Sequence, residues 1–105
     1  MANLLPVPTV DSLTGDWNIK YNITSCKVKL EKELLKKIGG YKINIQSDCF
    51  RDIFYESPVA WRPAPDGIAL LNSVGDMIIF LSRDGESYRS NVWSDKGLLL
   101  TKIKQ

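Results

Sequence analysis

From Trp17 onward apolar and polar residues alternate with a period of two, and that alternation dictates strands with one buried and one wet face. Trp17, Ile19 and Tyr21 stand against Asn18, Lys20 and Asn22. Cys26, Val28 and Leu30 stand against Lys27, Lys29 and Glu31, and Tyr41, Ile43 and Ile45 against Lys42, Asn44 and Gln46. Further runs at 59–62, 67–71, 77–82, 86–93 and 98–104 are separated by Asp66-Gly67, Gly75-Asp76, Asp84-Gly85 and Lys96-Gly97, pairs whose backbone freedom suits tight turns. Eight short strands in 105 residues predict an all-β domain, closed as an eight-stranded antiparallel up-and-down barrel because closure leaves no unpaired edge. A two-sheet sandwich is the alternative. In a barrel of this size the protein's own side chains fill the interior, leaving no wide ligand calyx.

Two segments resist the alternation. Residues 31–38 (EKELLKKI) hold good helix formers, with Glu33 and Lys37 at helical spacing and Gly39-Gly40 as a stop, so they read either as a helical turn or as a strand running on into a loop. Residues 49–57 mix apolar and charged side chains ahead of Pro58 and have room for one short helix.

The residue inventory removes most chemistry. There is no histidine, which excludes Ser-His and Cys-His nucleophiles and every His-containing metal cage. With 14 basic against 12 acidic residues the formal charge is +2, too small to point to nucleic acid, and no run is long enough to cross a bilayer. The expectation is a protein that is not an enzyme and has no cofactor or metal of its own. Cys26 and Cys49 are the two thiols. A bridge between them would contribute about 3 to 3.5 kcal/mol by the loop-entropy model and suit an exported protein; two buried thiols in a cytosolic domain are the other possibility, and spacing does not choose. The first residues lack a charged leader and a continuous apolar stretch, so the chain reads as a mature exported form with a start methionine.

Residues 1–10 form an apolar segment, uncharged in its side chains and stiffened by Pro6 and Pro8. Proline pre-sets an extended backbone and lowers the entropy lost when a segment is captured by a groove. The segment reads as an arm for a partner, in front of a barrel over 11–105, or as a strap across one barrel end.

Here the chain resembles a known family. Pro58-Val-Ala-Trp61-Arg62-Pro63-Ala-Pro65-Asp66-Gly67-Ile-Ala-Leu70 is similar to the PVGWRPTPDGLTL stretch of the bacterial inhibitors of serralysin-type zinc proteases, the alkaline proteinase inhibitors. Leu13-Thr-Gly15-Asp-Trp17 resembles their LSGQW, and Phe80-Leu-Ser-Arg83 their FFSR. A proline nine positions before the first tryptophan, Pro8 and Trp17 here, and a cysteine pair complete the likeness.

The resemblance implies a periplasmic protein with an eight-stranded barrel and a Cys26–Cys49 disulfide. It implies a monomer when free that binds a secreted serralysin-type zinc metalloprotease one to one. Its arm, Ala2, Asn3, Leu4, Leu5, Pro6, Val7 and Pro8, would enter the active-site cleft and present the terminal amine to the partner's zinc. Counting back from Trp17 sets the family's first residue at Asn3, where its SSLRL reads Asn3-Leu-Leu-Pro-Val7, so Ala2 or Asn3 carries the amine. Gly15-Asp-Trp17 also fits the GxW motif that opens lipocalin barrels, which motivates a second reading as a small carrier of an apolar ligand. Trp61 and Trp93 are expected in the core or at a barrel mouth. Arg62 is expected to stack on a tryptophan or pair with Asp66.

Overall fold

The computed structural model describes residues 7–21, 23–45, 58–90 and 97–103. One helical turn, α1 (Val10–Leu13), precedes eight strands: β1 (Gly15–Tyr21), β2 (Thr24–Leu35), β3 (Gly40–Ile45), β4 (Ala60–Ala64), β5 (Gly67–Leu71), β6 (Met77–Asp84), β7 (Ser87–Arg89) and β8 (Leu99–Lys102). Each strand pairs antiparallel with the next, and β8 returns to β1 through Trp17 opposite Lys102 and Ile19 opposite Leu100. The sheet is therefore the closed up-and-down barrel that the alternation predicts.

Its core is the apolar half of each alternating pattern. Trp17 and Ile19 of β1, Cys26, Val28 and Leu30 of β2, Ile43 and Ile45 of β3 and Leu100 of β8 are all buried in one cluster, while Lys27, Lys29 and Lys42 point to water. At the barrel centre the space between Ile19, Leu30, Leu70 and Leu81 is too small for a water molecule. A filled interior of this kind leaves the carrier reading no cavity there.

Strand β5 (GIALL) is buried at every residue, the mark of a continuous apolar run with both faces covered. Ile68 and Leu70 face the barrel interior, whereas Ala69 and Leu71 face outward into a second, smaller cluster with Ala60, Leu35, Ile38, Val59 and Phe80. The covering comes partly from residues 31–38. They form no helix: β2 runs on to Leu35, with a bulge between Leu30 and Leu34, and Leu35 pairs with Gly40. Leu35 and Ile38 are worth more against the outer face of β4 and β5 than in a solvated helical turn, so burial overrides helix propensity. Gly40 permits the approach, since a Cβ there would lie 2.8 Å from Leu71 Cδ1 and 2.9 Å from the Trp61 carbonyl oxygen. The helix considered for 49–57 lies outside the described residues.

Candidate functional site

Four segments far apart in sequence meet at one end of the barrel. The β4–β5 turn carries Pro65 and Asp66, the end of β6 carries Arg83, β7 brings Tyr88, and the incoming chain brings Pro8; all of these but Pro65 line a shared pocket. Asp66 Oδ1 accepts from Arg83 Nε at 3.1 Å, and the Arg83 backbone N–H donates to the Asp66 carbonyl at 2.9 Å. The PDG and FLSR segments are thus locked together, side chain to side chain and backbone to backbone. Burial pushes the Tyr88 phenol above its ordinary range; Arg83 opposes that shift and Asp66 adds to it.

The turn differs from the sequence expectation by one residue. Ala64 pairs with Gly67, so the two-residue loop is Pro65-Asp66, and Asp66 itself takes the left-handed conformation at φ 56°. Proline supplies the first loop torsion and aspartate tolerates the second. Gly67 already belongs to β5. Its missing side chain serves close packing, because a Cβ would strike the Leu81 carbonyl oxygen and lie 2.6 Å from Phe80 Cζ.

Helix α1 stands beside this pocket, directly after Pro8 and Thr9. The Thr9 side chain accepts from the Ser12 N–H as its N-cap at 3.1 Å. In the first turn Asp11 pairs with Lys32; at the other end Trp17 Nε1 donates to the Leu13 carbonyl at 2.8 Å and Lys102 Nζ to the Ser12 carbonyl at 3.0 Å. Trp17 is buried against Tyr88 in an edge-on contact at 5.8 Å between centroids, with Lys102 Nζ 5.7 Å from its ring centroid. Gly15, at φ 128°, provides the backbone turn from α1 into β1 that other residues rarely adopt.

The expected site residues divide accordingly. Pro8, Pro65 and Asp66 gather at this end of the barrel, and Gly15 and Trp17 hold α1 there. Val7 is exposed. Trp61 is fully buried in the core, tilted against Tyr41 with centroids 5.5 Å apart, and Pro63 sits opposite Ile68. Arg62 corrects the expectation: it is exposed on the outer face of β4, opposite Ala69, and Asp66 takes Arg83 as its partner instead. Two residues separate Arg62 from the turn along an extended strand, whereas Arg83 lies directly across the ladder. Cys26 is buried on β2 facing the interior; Cys49, Trp93 and the arm residues Ala2, Asn3, Leu4, Leu5 and Pro6 lie outside the described residues.

The sequence reading passed over Tyr88, Lys102 and α1 itself. The helix had a local signal, a threonine three residues before Ser12, a spacing that suits an N-cap. Lys102 had none, because its partner is ninety positions away.

The sequence profile described as "Protease inhibitor Inh" matches residues 7–102. The chain belongs to this protease inhibitor family. Among curated Inh relatives, the alkaline proteinase inhibitor of Serratia marcescens is 33% identical over 103 residues, covering 98% of this chain and 82% of that one. The alkaline proteinase inhibitor of Yersinia ruckeri is 27% identical over 108 residues, covering 100% and 87%. Among solved structures, that of a psychrophilic marine protease MP inhibitor superimposes with a TM-score of 0.70 at 23% identity, over 90% of this chain and 98% of that one, and shares the barrel fold. As an Inh protein the chain is an inhibitor and not an enzyme.

Proposed function

We propose that this Inh protein inhibits a secreted serralysin-type zinc endopeptidase in a one-to-one complex, with the arm from Ala2 to Pro8 laid in the active-site cleft and the terminal amine of Ala2 or Asn3 on the catalytic zinc. The observation that carries the reading is the convergence at Pro8: α1 and both hairpins bearing the family motifs support the chain where the arm leaves the barrel. Seven residues at about 3.3 Å each reach roughly 23 Å, enough to enter a cleft while the barrel stays outside as a plug. An open zinc position accepts an amine lone pair, so a chain with no histidine can still act at a metal through its own terminus. The same reading places the protein in the periplasm as a monomer when free, with Cys26 and Cys49 joined.

The carrier reading has less support, since aliphatic side chains occupy the barrel centre. Deleting residues 1–7 tests the proposal. Inhibition of a serralysin-type protease should fall at least about 100-fold, the scale of losing several interface contacts of 1 kcal/mol or more, with an unchanged circular dichroism spectrum. Full inhibition by the truncated protein would overturn the arm's role.

A further inference from the structure

Resting on that reading of the arm, we propose that Lys102 is a positioning residue for inhibition: it holds α1 in place and so fixes the direction in which the arm leaves the barrel.

A four-residue helix has no stability of its own, because one closed turn does not repay the ordering of its backbone. At the C-terminal end of α1 the Thr14 N–H donates to the Val10 carbonyl at 3.0 Å, and the Thr14 hydroxyl to the Asp11 carbonyl at 3.1 Å. The carbonyls of Ser12 and Leu13 point beyond the last turn and take their donors from elsewhere, Ser12 from Lys102 Nζ on β8 and Leu13 from Trp17 Nε1 on β1. Trp17 and Lys102 are themselves ladder partners, and the ammonium sits by the indole ring. The two donors therefore form one unit, closing the barrel seam between its first and last strands and gripping α1 from the same side.

Lys102 is itself exposed, but its ammonium donates to a backbone carbonyl of α1, next to the point where the arm begins. Thr9 is the N-cap and Pro8 precedes it, so rotation of α1 swings the arm's root directly. Fixing that root before binding removes part of the ordering cost of association. The effect of Lys102 on inhibition passes through α1.

The test measures Lys102→Met, which keeps the aliphatic stem and removes the donor, and Lys102→Arg, which keeps a cationic donor, against a serralysin-type zinc endopeptidase. In the full chain Lys102→Met should raise the inhibition constant about three- to tenfold, and Lys102→Arg should recover most of the loss. In the protein lacking residues 1–7, Lys102→Met should change binding by less than about twofold. Amide exchange at Thr14 should quicken in Lys102→Met in both backgrounds, and it decides the matter where the truncated protein binds too weakly to measure. Unchanged inhibition by full-length Lys102→Met, equal losses with and without the arm, or unaltered exchange at Thr14 would each overturn the proposal. If removing residues 1–7 leaves inhibition intact, the arm reading falls and this proposal with it; if removal abolishes inhibition while Lys102→Met does nothing, only the positioning role falls.

Discussion

The indole Nε1 of Trp61 donates to the carbonyl of Glu31, 3.0 Å away, at the point where β2 bulges out of register with β3. A bulge frees backbone groups from the ladder, and a freed carbonyl at a partly buried seam is satisfied by another donor. Trp61 supplies it from two strands away. Trp61→Phe should therefore cost about 2 to 4 kcal/mol, from an unsatisfied carbonyl and a small cavity together. Urea denaturation measures it; a loss below about 0.5 kcal/mol would mean that water satisfies Glu31 as well as the indole does.

The barrel was legible because β1 to β3 follow the period of two and turn pairs mark off the runs that come after, and closure is the arrangement that leaves eight such strands without edges. Residues 31–38 were ambiguous for a physical reason. Their helix formers and their two leucines favour different structures, and the choice is made by the outward-facing apolar patch of Ala60, Ala69 and Leu71, which local sequence does not display. At the candidate site, the motif residues Pro65 and Asp66 announced a turn, but their partners Arg83 and Tyr88 belong to later strands and enter only through closure. Arg62 misled because proximity in sequence favoured Asp66, while the ladder favoured Arg83.

Gly67 and Gly85 separate two uses of glycine. At Gly85 the backbone is left-handed at φ 65° with nothing within 4 Å of a built Cβ, so Gly85→Ala should cost about 1 kcal/mol of backbone strain. At Gly67 the new methyl would meet the Leu81 carbonyl and the Phe80 ring, and Gly67→Ala should cost about 2 to 3 kcal/mol by overpacking. Thermal unfolding of both variants checks the order. Gly67→Ala proving the milder change would show that β5 and β6 can separate without penalty.

Tyr88 gives the barrel an alkaline limit. Its phenol is held above the ordinary value near 10, first by burial and then by Asp66, against the pull of Arg83. A folded-state pKa above the unfolded one stabilises the fold fully below the unfolded value, and that stability is lost as pH rises through the folded value. Stability of the native protein should accordingly fall from about pH 10 upward. Tyr88→Phe should show a shallower fall over the same range, measured by urea midpoints from pH 8 to 11. Parallel curves for the two proteins would exclude Tyr88 as the source.

The proposed Cys26–Cys49 bridge has a direct chemical test. Cys26 is buried on the inner face of β2, where a cross-link would tie an early strand to the connection after β3. Thiol labelling of the unfolded, unreduced protein should find no reactive cysteine, and reduction should lower stability by about 3 kcal/mol. Two labelled thiols in protein from an oxidising compartment would remove the bridge.

The last test isolates the amine. A zinc ligand must offer a lone pair, so only the deprotonated terminal group coordinates, and its unperturbed pKa is about 7.7 to 8.0. The amine binds the metal as the base, so affinity should rise with pH through that range, and zinc's own charge shifts the rise to lower pH. The protease titrates in the same region, which makes a single pH profile ambiguous. Comparing the native tail with an N-acetylated one on the same enzyme cancels that contribution. Acetylation takes away the charge and the lone pair but leaves Leu4, Leu5 and every barrel contact in place. The acetylated protein should inhibit at least about tenfold less well, a difference of about 1.4 kcal/mol, and its pH profile should keep only the protease's own ionisations. Equal inhibition by the two forms at every pH would mean that the arm works by filling the cleft, with the barrel as its stopper and no bond to the metal.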